Sequence, residues 1–253
     1  MSSRTREFTV SKPRYSKINL FFRSLLFSIF SLTTITLYSF ICVLSLPLPV
    51  RWRHAIIRFY LQTYISTLKF ICRIDYKVEG LENIPADHRG IIMSKHQSAW
   101  ETFFLPTIFH APAVILKREL LWIPFFGWGL AATDPIAIDR KNATSAMKQI
   151  ITKGKKCLDD GRWVLVFPEG TRTAPGVAGK YRLGGARLAT ATGYPVIPVA
   201  LNAGHCWPRR KFIKQPGTIR VVIGPAIESK GRTADEVLRL TRDWIETTMK
   251  TID

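Results

Sequence analysis

The sequence predicts an α/β domain, with a largely parallel or mixed sheet flanked by helices, preceded by an N-terminal hydrophobic helical membrane anchor. Three observations support this prediction. No charged residue lies between Arg23 and Arg51, and apolar residues make up 47% of the chain. From about Ile74 onward, short apolar runs alternate with helical patterns, as in α/β domains. The 253 residues suit one domain plus a short appendage, and we place the boundary between 1–73 and 74–253.

The membrane anchor is predicted from the length and composition of Ser24–Leu46. As a helix, this segment would be about 35 Å long at ~1.5 Å per residue, enough to cross a hydrocarbon core of about 30 Å. It is too long for the core of a signal peptide, and no small-residue cleavage site follows it. The alternative is a buried helix of a soluble domain, but such helices rarely lack a polar face. We therefore expect a retained anchor.

Basic residues flank the anchor on both sides, so the positive-inside rule selects no orientation. A hairpin would resolve this conflict. Pro47 and Pro49 would end the first helix, and His54–Cys72 would form a second, amphipathic helix, so that both flanks and the main domain face the cytoplasm at the inner or plasma membrane. The flanking residues are Arg4, Arg6, Lys12, Arg14, Lys17 and Arg23 before the segment, and Arg51, Arg53, Arg58, Lys69 and Arg73 after it.

The rest of the chain contains seven candidate strands and four candidate helices. Asn142 is a predicted N-cap, Gly161 follows the last turn of the same helix, and Thr233–Glu236 has the pattern of a capping box. The strands, in order, are Ile74–Glu79, Gly90–Ser94, Ala113–Leu116, Pro135–Ile138, Trp163–Phe167, Val196–Leu201 and Thr218–Ile223. The helices are Ala99–Phe109, Ala143–Asp160, Gly184–Thr192 and Ala234–Lys250.

The formal net charge of +19 predicts an anionic partner. We expect anionic membrane lipids and a phosphorylated substrate rather than nucleic acid, and we interpret Arg209–Lys211 as a solvated or lipid-facing loop. The four cysteines include no C-x-x-C pair, so neither a disulfide framework nor a zinc site is expected. We expect no metal and no cofactor.

The first segment with candidate chemistry is Ser94–Glu101, which follows an apolar strand. His96 would lie at the end of that strand, where open α/β sheets place their ligands. Glu101 would lie in the first turn of the next helix, from which a carboxylate can reach the imidazole. A carboxylate on one ring nitrogen fixes the tautomer and leaves the other nitrogen free to take a proton. On its own, however, this spacing is also common in surface loops.

The second segment is Val164–Arg172, a buried strand that ends in a tight turn. Gly170 would let the backbone approach a ligand closely, and Arg172 offers the planar fork that holds a phosphate through two hydrogen bonds. The alternative is an ordinary strand-end turn with a solvated arginine. For the tryptophans Trp52, Trp122, Trp128 and Trp207, core packing is the default prediction and the membrane interface is the alternative.

Together these segments give the chain its resemblance to the glycerophospholipid acyltransferase family, in particular to its 1-acyl-glycerol-3-phosphate acyltransferases. Four ordered sequence blocks carry the resemblance, which covers about residues 74–225. The first has Glu101 where many members have Asp. The four blocks are His96 with Glu101; Lys117-Arg118-Glu119-Leu120 with Pro124, Gly127 and Asp139-Arg140; Phe167-Pro168-Glu169-Gly170-Thr171-Arg172; and Val196–Leu201.

The resemblance implies transfer of an acyl group from a thioester, either acyl-CoA or an acyl chain carried on acyl carrier protein. The acceptor would be the sn-2 hydroxyl of lysophosphatidic acid and the product phosphatidic acid. The transfer would be direct, without an acyl-enzyme. His96 would be the general base and Glu101 would orient it. Six residues would hold the glycerol phosphate: Lys117, Arg140, Glu169, Gly170, Thr171 and Arg172.

Other functions fit the sequence less well. Ser98 lies outside any G-x-S-x-G elbow, so we expect a capping hydroxyl there and no serine hydrolase. Another lysophospholipid or a lyso-aminolipid remains an alternative acceptor. A non-catalytic, membrane-associated lipid-binding protein is the remaining alternative.

Overall fold

The computed structural model describes residues 15–87 and 89–253. The basic residues Arg4, Arg6, Lys12 and Arg14, which we placed on the first flank of the anchor, lie outside these ranges.

Two long helices begin the described chain, α1 (Lys17–Leu44) and α2 (Val50–Cys72). The hydroxyls of Ser31 and Tyr64 lie 2.8 Å apart, and the rings of Tyr38 and Tyr60 stack with centroids 4.1 Å apart. Because contacts nearer the end of α1 fall nearer the start of α2, the helices run antiparallel. Within the described residues, α1 is the one helix long and apolar enough to cross a membrane by length and composition. How the pair lies in a membrane stays a prediction.

Apolar side chains are exposed on α1, on α2 and on the segment 122–128. Leu32 and Phe70 are 72% and 85% exposed, and Trp52, Trp122 and Trp128 are 56%, 67% and 44% exposed. The default prediction of core packing is therefore wrong for these three tryptophans. Trp128 remains 44% exposed although the rings of Phe40 and Phe125 lie beside it. Trp207, by contrast, packs edge-on against Phe27.

The sheet has seven strands in the order β1-β7-β6-β2-β5-β3-β4. All neighbours are parallel except β6 and β7, which are antiparallel, so the predicted α/β class is confirmed and the sheet is mixed. The strands are β1 (Ile74–Glu79), β2 (Ile91–Ser94), β3 (Ala113–Lys117), β4 (Ile136–Ile138), β5 (Val164–Val166), β6 (Val196–Leu201) and β7 (Gly217–Ile223).

The described residues contain five further α-helices, and the predicted caps are confirmed. Asn142 accepts a hydrogen bond from the Ser145 amide, and Thr233 and Glu236 form a reciprocal capping box. The sequence patterns missed α4, because it is only six residues long. The helices are α3 (Trp100–Ile108), α4 (Phe126–Ala131), α5 (Ala143–Asp159), α6 (Gly184–Thr192) and α7 (Ala234–Ile252).

Both faces of the sheet are covered because strand residues alternate in direction. Ile92 belongs to a core cluster shared with α1, α2 and α3, whereas Ile91 and Met93 belong to one shared with α5, α6 and α7. The first cluster runs without interruption across residue 73, since Leu68 and Ile74 both belong to it. The division into 1–73 and 74–253 stays a prediction.

Candidate active site

The candidate site lies where β2 and β5 end. These strands are adjacent and parallel, so the residues that follow them meet at one edge of the sheet, the usual ligand position in such folds. His96 follows β2 and Arg172 follows β5. The amide of Thr173 donates a 2.8 Å hydrogen bond to the carbonyl of His96, which ties the two loops together.

His96 and Glu101 form a hydrogen-bonded pair. Nδ1 of His96 lies 2.8 Å from Oε1 of Glu101, and this oxygen also accepts hydrogen bonds from the amides of Gln97 and Ser98. The hydroxyl of Ser98 accepts a hydrogen bond from the amide of Trp100, the first residue of α3, as the sequence predicts for a capping hydroxyl. The carboxylate is therefore fixed by three donors in a short turn.

This arrangement prepares the imidazole for proton transfer. With the Nδ1 proton donated to Glu101, the free lone pair is on Nε2. The ring also stacks on Phe167, with centroids 4.1 Å apart and planes at 21°, so packing restricts its rotation. The Glu101 side chain is fully buried while that of His96 is 13% exposed. The pair can act as a general base toward a hydroxyl that reaches it from solvent or membrane.

Arg172 lies close to this pair, together with an arginine that sequence reasoning did not select. Arg209 donates a 2.9 Å hydrogen bond from Nη1 to the carbonyl of Arg172. Burial lowers the pKa of the Arg172 guanidinium, the Glu101 carboxylate opposes that shift, and the Arg209 cation adds to it. A guanidinium stays protonated at neutral pH regardless. In the described part of the chain, neither arginine forms an ion pair.

Two further arginines, Arg140 and Arg182, contact the turn after β5 from other segments of the chain. Arg140 donates a 2.5 Å hydrogen bond from Nη1 to the carbonyl of Gly170. Burial lowers the pKa of Arg140, the Arg182 cation lowers it further, and Glu119 opposes the shift. Gly170 has a φ of 69°, and a Cβ there would lie 3.0 Å from Nε of Arg182. A glycine is therefore favoured at position 170, because the backbone is left-handed there and a side chain would collide with Arg182. Arg182 is not part of the four sequence blocks.

Glu169 lies behind the turn instead of facing the open side. Its Oε1 accepts a hydrogen bond from Nζ of Lys95 at 2.8 Å, and its Oε2 accepts one from the amide of His96 at 2.9 Å. The residue is 4% exposed. Both of its oxygens are thus engaged by the protein itself.

The remaining predicted site residues are exposed. Lys117 is the last residue of β3, next to β5 in the sheet, and Thr171 lies in the turn after β5. Across residues 15–87 and 89–253, the Lys117 ammonium has no ion-pair partner. His96, Glu101 and Arg172 thus lie together, Arg140 and Gly170 lie beside them, and Lys117 lies at the same edge.

Comparison with known proteins identifies the family. The acyltransferase family model matches residues 75–202, which is more than half of the chain. The chain belongs to the acyltransferase family. It is 46% identical to a 1-acyl-sn-glycerol-3-phosphate acyltransferase of Pseudomonas aeruginosa, over 85% of this chain and 84% of that one. It is 28% identical to the human 1-acyl-sn-glycerol-3-phosphate acyltransferase alpha, over 84% of this chain and 76% of that one.

The fold of this acyltransferase also has a solved counterpart. The crystal structure of the 1-acyl-sn-glycerophosphate (LPA) acyltransferase PlsC from Thermotoga maritima matches with a TM-score of 0.78 and 24% identity, over 93% of this chain and 96% of that one. A match over 93% of this chain leaves unmatched fewer residues than α1 or α2 contains, so it includes part of each of these helices.

Proposed function

We propose that this acyltransferase transfers a fatty acyl group from an acyl thioester to the sn-2 hydroxyl of 1-acyl-glycerol-3-phosphate, forming phosphatidic acid. The observation that carries the proposal is the His96–Glu101 pair beside Arg172. The pair supplies a base for an alcohol, and the arginine supplies a partner for a phosphate. The names of the relatives from Pseudomonas aeruginosa and human support the same reaction.

The proposed mechanism is one direct transfer. Nε2 of His96 takes the proton of the acceptor hydroxyl as its oxygen attacks the thioester carbonyl, and Glu101 stabilises the imidazolium that forms. The tetrahedral intermediate then collapses, the C–S bond breaks, and the proton on Nε2 passes to the leaving thiolate. The products are an ester and a free thiol, and His96 returns to its starting state.

The acceptor phosphate would bind to arginines at the end of β5. In lysophosphatidic acid the free hydroxyl and the phosphate are on neighbouring glycerol carbons, so the phosphate must bind near His96. Arg172 meets this requirement, with Arg209 beside it. Arg140, Lys117, Thr171 and the Gly170 turn would complete the phosphate site, and we add Arg182 to it because its guanidinium lies against Gly170.

The membrane would be the source of the acceptor. The exposed apolar side chains of α1, α2 and the segment around Trp122 suit a bilayer, and the basic surface suits anionic headgroups, at about 1 kcal/mol per basic residue close to the surface. We place the site on the cytoplasmic side, where acyl-CoA or acyl carrier protein would supply the donor.

The test is a thiol-release assay with purified protein. We expect thiol release from acyl-CoA or acyl carrier protein with 1-acyl-glycerol-3-phosphate as acceptor, and a labelled acyl chain at the sn-2 position of the product. His96→Ala should lower kcat by about 10²–10⁴-fold, and Arg172→Ala should mainly raise KM for the acceptor. Lysophosphatidylcholine and monoacylglycerol are the control acceptors. Equal rates with monoacylglycerol would refute the phosphate site, and full activity of His96→Ala would refute the mechanism.

A further inference from the structure

A buried ammonium lies directly behind the catalytic histidine. Lys95 precedes His96 in the chain, and its side chain is 1% exposed. Nζ donates three hydrogen bonds, to Oε1 of Glu169 at 2.8 Å, to Oε1 of Glu246 at 2.9 Å and to the carbonyl of Val177 at 2.9 Å. An ammonium has three protons to donate, so its capacity is fully used inside the protein. Lys95 therefore has no role in holding a substrate.

Glu169 connects this ammonium to the loop that carries the imidazole. Its Oε2 accepts the amide proton of His96, and its Oε1 also accepts hydrogen bonds from the amide of Gly179 and the hydroxyl of Thr173, at 3.1 Å and 3.2 Å. One carboxylate thus holds the backbone of Gly179, the side chain of Thr173 and the backbone of His96. A buried carboxylate keeps this role only while it stays ionised and paired.

Glu246 extends the network to the C-terminal helix. It lies on α7 next to Ile245, which is fully buried, and its Oε1 also accepts a 2.7 Å hydrogen bond from the hydroxyl of Tyr181. Burial raises the pKa of Tyr181, and its hydrogen bond to Glu246 and the charge of Glu246 raise it further. The tyrosine therefore remains a neutral donor. Glu246 comes 151 residues after Lys95, so the contact depends on the packing of α7.

We propose that Glu169, Lys95 and Glu246 are positioning residues for His96: Glu246 holds the Lys95 ammonium in place, and Lys95 holds the Glu169 carboxylate onto the His96 amide. This inference rests on the proposed function. It gives Glu169 a different role from the one that the family resemblance implies. A ligand of the acceptor phosphate would change KM when it is altered, whereas a positioning residue changes the rate of the chemical step.

Glu169→Gln separates these two roles with almost no change in shape. An amide presents one oxygen and one NH₂ group, so a donor would face either the Lys95 ammonium or the His96 amide. We expect kcat to fall about 100-fold, the loss that a 1 Å misplacement can cause, with KM for 1-acyl-glycerol-3-phosphate within three-fold of wild type. A ten-fold rise in KM with unchanged kcat would overturn the proposal, as would two unchanged constants.

Glu246→Gln is the second variant, because Glu246 is partly exposed and its isosteric change is the least disruptive to folding. We expect a smaller fall in kcat, again with an unchanged KM, and less than additive losses when it is combined with Lys95→Met. Asp243→Asn, an exposed change on the same helix, is the matched control and should leave both constants unchanged. Additive losses in the double variant would contradict the proposed chain of contacts.

Hydrogen exchange gives a readout that needs no substrate. Peptides covering residues 91–99 should exchange faster in Glu169→Gln and Glu246→Gln than in wild type or Asp243→Asn. Glu169→Gln weakens the hydrogen bond to the His96 amide, directly or through Lys95, and Glu246→Gln loosens the Lys95 ammonium that holds Glu169 in place. Unchanged exchange there would overturn the positioning role even if activity fell. If instead wild-type protein failed to acylate the phosphorylated acceptor while the exchange differences appeared, the proposed function alone would fail.

Discussion

Replacing Gly170 with alanine tests how closely the turn after β5 packs against its arginines. Gly170 has a φ of 69°, and a left-handed conformation costs a non-glycine residue about 1–2 kcal/mol. The new methyl carbon would also lie 3.0 Å from Nε of Arg182, so the guanidinium would have to shift. Gly161→Ala is the matched control, because Gly161 has a φ of 76° but no neighbouring atom within 4 Å of a Cβ.

Both variants should lose about 1–2 kcal/mol of unfolding free energy, which lowers the Tm of a chain of this size by about 2–8 °C. Only Gly170→Ala should also raise KM for 1-acyl-glycerol-3-phosphate. Loss of one charge-assisted hydrogen bond from Arg182, at about 1.5 kcal/mol, corresponds to a rise of about ten-fold. Thermal unfolding in detergent and steady-state thiol release measure the two effects. Equal KM values for the two variants would refute the assignment of Arg182 to the phosphate site.

Three further results are expected. His96→Ala should lower kcat by about 10²–10⁴-fold, the usual contribution of a general base, and should leave Tm nearly unchanged. A kcat equal to that of wild type would contradict the role of His96. Arg182→Ala should raise the KM for 1-acyl-glycerol-3-phosphate and leave the rate with monoacylglycerol unchanged. Arg187→Ala, an exposed change on α6, is the control and should alter neither this KM nor this rate. Lys95→Met should lower the free energy of unfolding by about 3–5 kcal/mol, since it leaves the buried Glu169 carboxylate without its cation; a Tm equal to that of wild type would show that the carboxylate is neutral or hydrated.

Much of the fold is predictable because its signals are local. The bounds of β1, β6 and α6 agree with the sequence prediction at both ends, since each is a sharp apolar run or is bounded by glycine. The capping residues of α5 and α7 lie within three residues of the groups they cap. The strand order and the antiparallel pairing of β6 with β7 depend on distant segments, so no local pattern predicts them.

The candidate site divides in the same way. His96 and Glu101 are five residues apart, so one turn of chain brings them together. The spacing alone also fits a surface loop, and the prediction of the pair depended on the other sequence blocks. Arg182 and Arg209 reach the turn after β5 from other segments, and each resembles an ordinary surface arginine in sequence. The Lys95–Glu246 contact depends on the docking of α7. Its one sequence signal was a lysine beside a candidate catalytic histidine.

Two groups of basic side chains can be distinguished within residues 15–87 and 89–253: buried cations that are paired with carboxylates, and arginines near the site that have no carboxylate partner. Lys95 and Arg162 are buried, and each has a carboxylate within 2.8 Å, Glu169 for the lysine and Asp134 for the arginine. Removing Asp134 would leave the Arg162 cation without its carboxylate, and removing Glu169 would leave Lys95 with Glu246 alone; proteins tolerate such losses at buried cations poorly. The four arginines around the turn after β5 have no such carboxylate in the structure described. Arg140 and Arg182 repel each other, as do Arg172 and Arg209, and the proposed phosphate would relieve both repulsions. In the proposed mechanism, the same turn thus combines one carboxylate that positions His96 with guanidiniums that would bind the acceptor phosphate.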